Sequence, residues 1–169
     1  MMSVAKAIVN RRSVRSYERR PIPKELLCEL LEMSRLAPSG KNRQPWRLIV
    51  VLEEGRKRAL VPICRDQEFI ADCSAFIAGL DDPKQKWARV DLAIALDHLC
   101  LAATERGLGT CWIGAFDRES MAEFLEVPSN MVVTVCMTVG YPAESPDPQR
   151  RKELEELVYW ERYGGRKGG

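Results

Sequence analysis

Apolar and polar positions along the chain follow two periods. Val4, Ala7 and Ile8 form one stripe at helical spacing, with Ser3 placed to cap it, so a short helix is predicted over Ser3–Asn10. Leu26, Leu27, Leu30 and Leu31 repeat that spacing after Pro23, a residue suited to a first helical turn, and Pro38 ends the run. A second helix is predicted from Pro23 to about Leu36. Trp46–Leu52 (WRLIVVL), Ser74–Leu80 (SAFIAGL), Thr110–Gly114 and Met131–Gly140 are apolar runs of strand length. Between them lie three more predicted helices: Gly55–Cys64 with Pro62 near its end, Lys86–Arg106 closed by Gly107, and Arg118–Leu125 capped by Asp117. From Leu92 to Ala103 the long helix is apolar almost all round. It should therefore be buried on most sides, by its own domain or by a second subunit. Helices interleaved with about four strands read as a three-layer α/β or α+β domain.

The pattern changes late. Tyr141-Pro-Ala-Glu-Ser-Pro-Asp-Pro-Gln-Arg150 has three prolines and no apolar period, so it reads as an extended arm. Beyond it, Leu154, Leu157 and Val158 return to helical spacing, followed by Trp160 and Tyr163. Such a tail must dock, either on its own domain or on a second subunit.

Composition narrows the classes. A chain of 169 residues, 46% hydrophobic and 30% charged, suits one globular domain over 1–169 and excludes a disordered chain. A net charge of +2 does not mark a nucleic-acid or membrane-surface protein. Six cysteines without a CxxC pair, and a lone histidine, His98, argue against a zinc site; buried thiols are expected instead. The first ten residues hold no long apolar run and no stretch reaches the ~18 apolar residues of a membrane helix. The expectation is a reducing cytoplasm, with no membrane partner.

Three stretches could carry chemistry. Arg11, Arg12, Arg15, Arg19 and Arg20 fall within ten residues, and Arg-Arg-Ser-Val-Arg (11–15) directly follows the first helix. Guanidinium forks and a serine hydroxyl suit phosphate, but a solvated basic turn or non-specific attraction to nucleic acid would look the same. Ala37-Pro-Ser-Gly-Lys-Asn-Arg-Gln-Pro-Trp46 is a polar loop of small residues between a helix and a strand. It could bring backbone groups against a flat ligand, or simply connect two elements. Gly107-Leu-Gly-Thr-Cys-Trp-Ile-Gly114 follows a helix and enters a strand, the reverse of the dinucleotide-binding order, so a Rossmann site is excluded. Its glycines are expected to let backbone amides approach something planar. His98, within the apolar helix, reads as a core histidine; Asp91 and Asp97 do not share a helical face well enough to act as a carboxylate pair. No GxSxG elbow is present.

These stretches, in this order, resemble the nitroreductase family of FMN-dependent oxidoreductases over nearly the whole chain. The resemblance rests on RRSVRSY (11–17), APSGKNRQPWRLIVV (37–51), DQEFIADCSAFIAG (66–79), DLAIALDHLCLAATERGLGTCWIGAF (91–116), VTVCMTVGYPAE (133–144) and RRKELEELVYWERYG (150–164). It implies an α+β, three-layer fold with a mostly antiparallel central sheet flanked by helices. It further implies a homodimer with two FMN sites at the subunit interface, in which the C-terminal arm, from about residue 141, packs on the partner.

By the same resemblance, Arg11, Arg12 and Ser13 hold the FMN phosphate and ribityl end, Arg15 approaches the pyrimidine edge, and Arg151 returns to the phosphate. Pro38, Ser39, Gly40 and Asn42 come from the partner subunit and line the ring, with Gln44 nearby. Gln67 bonds the ring's polar edge. Trp112, Ile113, Gly114 and Ala115 run along one side, with a backbone N–H near Gly114 facing flavin N5. No side chain is assigned a catalytic role. Hydride passes from NAD(P)H through the flavin to a flat, electron-poor acceptor such as a nitroaromatic or quinone, in a ping-pong cycle. Alternatives within the family are a dehalogenase, a flavin-fragmenting synthase or an azoline dehydrogenase; outside enzymes, an FMN-storage protein or a nucleic-acid module. The chain departs from the pattern in two places: Gln149 stands where many members carry lysine, and only about ten residues, Leu80–Arg89, precede the long helix, so the ring face is left open or is covered by Trp87 or the tail.

Overall fold

The computed structural model describes residues 2–166. Four strands, β1 (Trp46–Val51), β2 (Ala75–Asp81), β3 (Gly109–Ile113) and β4 (Val132–Gly140), form one sheet in the order β1-β2-β4-β3. Every ladder is antiparallel, which removes the parallel α/β reading. Side chains on a strand alternate between faces, and here both faces are covered. Phe76, Ala78 and Leu80 enter one core with α3 (Glu54–Ile63), α4 (Phe69–Asp72) and α6 (Arg118–Phe124). Ala75 and Ile77 enter the other with α2 (Lys24–Arg35) and α5 (Ala88–Glu105). This two-sided burial explains why β2 reads as an unbroken apolar run. A register shift opposite Gly79 and Leu80 lets Val133 and Val135 of β4 serve opposite cores.

The helix ends follow local chemistry. The Ser3 Oγ accepts from the Lys6 N–H at 3.3 Å at the start of α1 (Val4–Asn10), and Asp117 accepts from the Ser120 N–H at 2.9 Å at the start of α6. Gly107, at φ 73°, turns the chain out of α5.

Two expectations need correction, those for His98 and Cys28, and other segments show detail that the sequence pattern leaves open. The tail does not form a helix over its apolar period: only α7 (Leu154–Leu157) is helical, and Leu154, Leu157 and Tyr163 are exposed rather than docked on their own domain. Within its own chain α5 buries one side and leaves the other open. Leu92, Leu96 and Leu99 face the core, while Val90 is 50% exposed and His98 lies half-buried on the outer side, not in the core. Of the six cysteines, Cys28 is exposed, because it sits about 100° round α2 from buried Leu27. Finally, α4 and a 3₁₀ turn over Gly40–Asn42 are too short for any periodicity to show. Among the described residues no helix is long and apolar enough to cross a membrane.

Candidate functional site

The chain leaves α1 at Arg11 and runs beside the start of β3. The Val14 N–H donates to the Thr110 carbonyl at 2.9 Å, and Ser13 bridges Thr110 in parallel. Tyr17 then pairs with Pro142 at the head of the arm, and its buried hydroxyl donates to the Val14 carbonyl and also lies 2.8 Å from Thr138 Oγ1. The segment is thus clamped between the sheet and the arm. This clamp turns Arg11, Arg12, Ser13 and Arg15 towards a cavity of about 700 Å³, whose opposite wall is Pro146–Gln149 and Arg151.

The charges there are poised for an anion. Arg12 Nη1 donates to the carbonyls of Val9 at 2.7 Å and Arg11 at 2.9 Å. Arg151 Nη1 reaches only the carbonyls of Gln149 and Arg150. Among the described residues, none of Arg11, Arg12, Arg15 and Arg151 forms an ion pair, and Asp147 is the one acid on the cavity wall. Burial raises the nearby Cys111 thiol, and the positive charges of Arg15 and Arg11 pull it partly back. Gln149 lines the cavity where a lysine would add charge; Arg150 does not.

The open half of β3 continues from this corner. Ile113 is only 1% exposed, so its side chain belongs to the core and only its backbone can face a ligand. Trp112 packs on the opposite face beside α5. Gly114 and Ala115 are exposed, and nothing lies within 4 Å of where a Gly114 Cβ would stand. Gln67 Nε2 donates to the Cys64 carbonyl at 2.7 Å and the Ala115 carbonyl at 3.2 Å, which fixes the side chain beside this strand end. The glycines of 107–114 prove to have different causes. A Cβ at Gly109 would meet Val14 at 2.7–3.0 Å, so that glycine admits the arginine-bearing segment rather than a ligand. Gly107 and Gly114 both face open space, but Gly107 is required by its positive φ at the helix end, which leaves Gly114 as the one whose openness has no such backbone cause.

The third group lies elsewhere. Pro38, Ser39, Gly40, Asn42 and Gln44 precede β1, at the far edge of the sheet and at the opposite end from Thr110. Strands sit ~4.8 Å apart and rise ~3.3 Å per residue, so the two corners are on the order of 25 Å apart. The loop is rigidly held. Ser39 Oγ accepts from the Gln44 N–H at 3.0 Å, and Gln44 Nε2 donates to Asn42 Oδ1 at 3.1 Å. The buried Asp91 carboxylate accepts the Gly40 N–H at 3.3 Å on each oxygen. Lys41, Asn42 and Gln44 all hold left-handed backbones, a concentration of conformational cost that persists only where neighbours impose it. Sequence reasoning missed Asp91 as the peg of this loop; an acid one helical turn before Ala95, on the side of the helix that is otherwise apolar, was the available signal.

Comparison with known proteins follows the same outline. A model of the nitroreductase family matches residues 8–80 and 64–141. The chain is 31% identical over 192 residues to an NADH dehydrogenase of Thermus thermophilus, covering 91% of this chain and 94% of that one. It is 28% identical over 187 residues to an FMN reductase (NAD(P)H) of Bacillus subtilis, covering 96% and 75%. The solved structure of NfrA1 from B. megaterium superimposes with a TM-score of 0.89 at 25% identity, covering 95% of this chain and 75% of that one.

Proposed function

Because the chain belongs to the nitroreductase family, we propose that it is an FMN-dependent NAD(P)H oxidoreductase working as a homodimer. The observation that carries this reading is the corner where four arginines without ion pairs meet an open strand edge. The donor set fits the cofactor. A phosphate would be held by Arg11, Arg12 and Arg151 with the Ser13 hydroxyl, through charge-assisted hydrogen bonds. Arg15 would stand by the pyrimidine edge, where a cation favours the reduced ring. The Gln67 side-chain oxygen remains to accept from the ring's polar edge, since its amide group already donates to two carbonyls. The open space over Gly114 leaves room for the ring against the backbone.

The loop Pro38–Gln44 cannot reach that corner within one chain, but a two-fold axis brings one copy's loop to the other copy's cleft. The same pairing would cover the outer face of α5 and give the arm from about residue 141 a partner to pack on. A single domain over 1–169, complete only in the dimer, follows from this arrangement. The chemistry FMN supplies when bound is alternate transfer of hydride from NAD(P)H and to a flat acceptor such as a nitroaromatic or quinone, the two taking turns in one pocket. The six free thiols suit a reducing cytoplasm.

The test is the absorption spectrum of the purified protein before and after anaerobic addition of NAD(P)H. Flavin bands that bleach are expected. A yellow protein that neither NADH nor NADPH bleaches would indicate storage or another donor. A colourless protein that takes up no added FMN would remove the reading.

A further inference from the structure

The loop that carries Pro38, Ser39, Gly40, Asn42 and Gln44 alternates them with two residues that no role yet claims: Lys41 and Arg43. Both side chains are exposed, and neither forms an ion pair among the described residues. The left-handed backbone at Lys41 (φ 54°) fixes where its side chain departs. A second pair of cations stands beside them. A Cβ at Gly40 would touch Trp87 at 3.7 Å, so the loop packs on the turn before α5. There Lys86 Nζ lies 5.3 Å from the Trp87 ring centre, and Lys84 is exposed on the same turn. Three carboxylates share the corner, and Arg47 and Arg89 stand there as well, so the three acids offset only part of the positive charge. Asp91 is buried on the Gly40 amide, Asp81 is buried at the strand end, and Asp82 accepts the Lys84 amide. In a chain of net charge +2, four exposed cations without ion pairs gathered at one corner are a local excess.

We infer that Lys41 and Arg43, flanked by Lys86, form a cationic rim that selects a phosphorylated nicotinamide donor, NADPH over NADH. The inference rests on the flavin reading above, which brings this loop to the partner's ring. The donor stacks its nicotinamide over the ring, and its adenosine end then lies outside the pocket, at the loop's exposed side. NADPH differs from NADH there by a 2′-phosphate carrying nearly two negative charges at neutral pH. Exposed cations within a Debye length of about 8 Å attract that group and ignore a 2′-hydroxyl. Because the rim is solvent-exposed, its effect falls on binding rather than on the transfer step, and salt weakens it.

Anaerobic stopped-flow reduction of the bound flavin by each donor tests this. The wild type is expected to show a ratio of limiting reduction rate to apparent Kd that is about tenfold higher for NADPH than for NADH. The Lys41→Ala/Arg43→Ala double variant should lose that preference through the apparent Kd for NADPH, with the limiting rate of reduction kept. Lys41→Arg/Arg43→Lys should retain it, and high salt should mimic the alanine variant. If the double variant holds flavin poorly, Lys86→Ala, outside the loop, should lower the ratio in the same direction. A wild type reduced equally well by both donors, or faster by NADH, overturns the rim and leaves the flavin reading intact. Equal loss towards both donors in the alanine variant also overturns it. Flavin that neither donor reduces overturns the oxidoreductase reading and the rim with it.

Discussion

Arg11 and Arg151 reach one cavity from opposite ends of the chain, one from the end of α1 and one from the arm. Among the described residues neither has a carboxylate partner, so each can give a charge-assisted contact worth about 1.5–3 kcal/mol. Arg11→Ala and Arg151→Ala should each weaken FMN retention by at least about tenfold, read by flavin fluorescence on dilution. Unchanged retention in both would remove the phosphate assignment. The two strand glycines separate packing from ligand effects. Gly109→Ala drives a methyl into Val14 and should cost about 1–3 kcal/mol of stability, displacing the arginine segment with it. Gly114→Ala meets nothing in its own chain, so its thermal midpoint should stay at the wild-type value while flavin binding or reduction suffers. A fall in the midpoint for Gly114→Ala would show that its open side is filled by protein instead.

At the scale of elements, three segments present apolar side chains that their own chain leaves exposed. The outer face of α5 keeps Val90 exposed, the turn before it shows Trp87 at 55% exposure, and the tail carries Leu154 and Leu157 exposed. None of these side chains contributes to either core. Truncation after Glu153 should therefore leave the circular dichroism spectrum of the remaining chain nearly unchanged. It should also shift the sedimenting species towards monomer, because apolar tail residues bury their area only across the proposed interface. A truncated chain that sediments as the full-length one does would place the dimer contact on the outer face of α5 and the remaining arm instead. The pinning of the Pro38–Gln44 loop by Asp91 belongs to this scale too: the loop is shaped within one chain and, in the proposed dimer, would serve the other.

For the whole molecule, the buried titratable groups set a limit in base. Burial pushes the Cys64 and Cys73 thiols up to about 12 and raises the Tyr17 phenol further from its ordinary value. In the unfolded chain these thiols ionise near 8.5 and the phenol near 10. Above about pH 9 the unfolded state releases protons that the folded state keeps, so stability falls as pH rises through the interval up to about 12. Thermal midpoints should decline from pH 9 upwards. Below that pH a thiol reagent should find one fast cysteine, the exposed Cys28, and the other five only after denaturation. A midpoint that is flat to pH 11 would mean these groups are far more hydrated than their packing indicates.

The periods of apolar residues marked all four strands and the five longer helices to within a residue or two, because period and capping are local properties of the chain. The same locality explains the chemistry that could be read: a run of arginines, a loop of small polar residues, a glycine-bearing strand. It also explains the misreadings. Apolar residues on the outer side of a helix look in sequence like those facing the core, so the pattern of α5 left open whether its own domain or a second subunit covers it, and His98 read as a core residue. The four-residue α4 is shorter than one apolar period. Tertiary structure alone decided which stretches are neighbours. Pairing β4 between β2 and β3 set the arginine segment beside β3 and left the Pro38–Gln44 loop at the opposite corner. That order comes from contacts between residues far apart in sequence, where each strand finds the partner that closes both cores, and no local pattern encodes it.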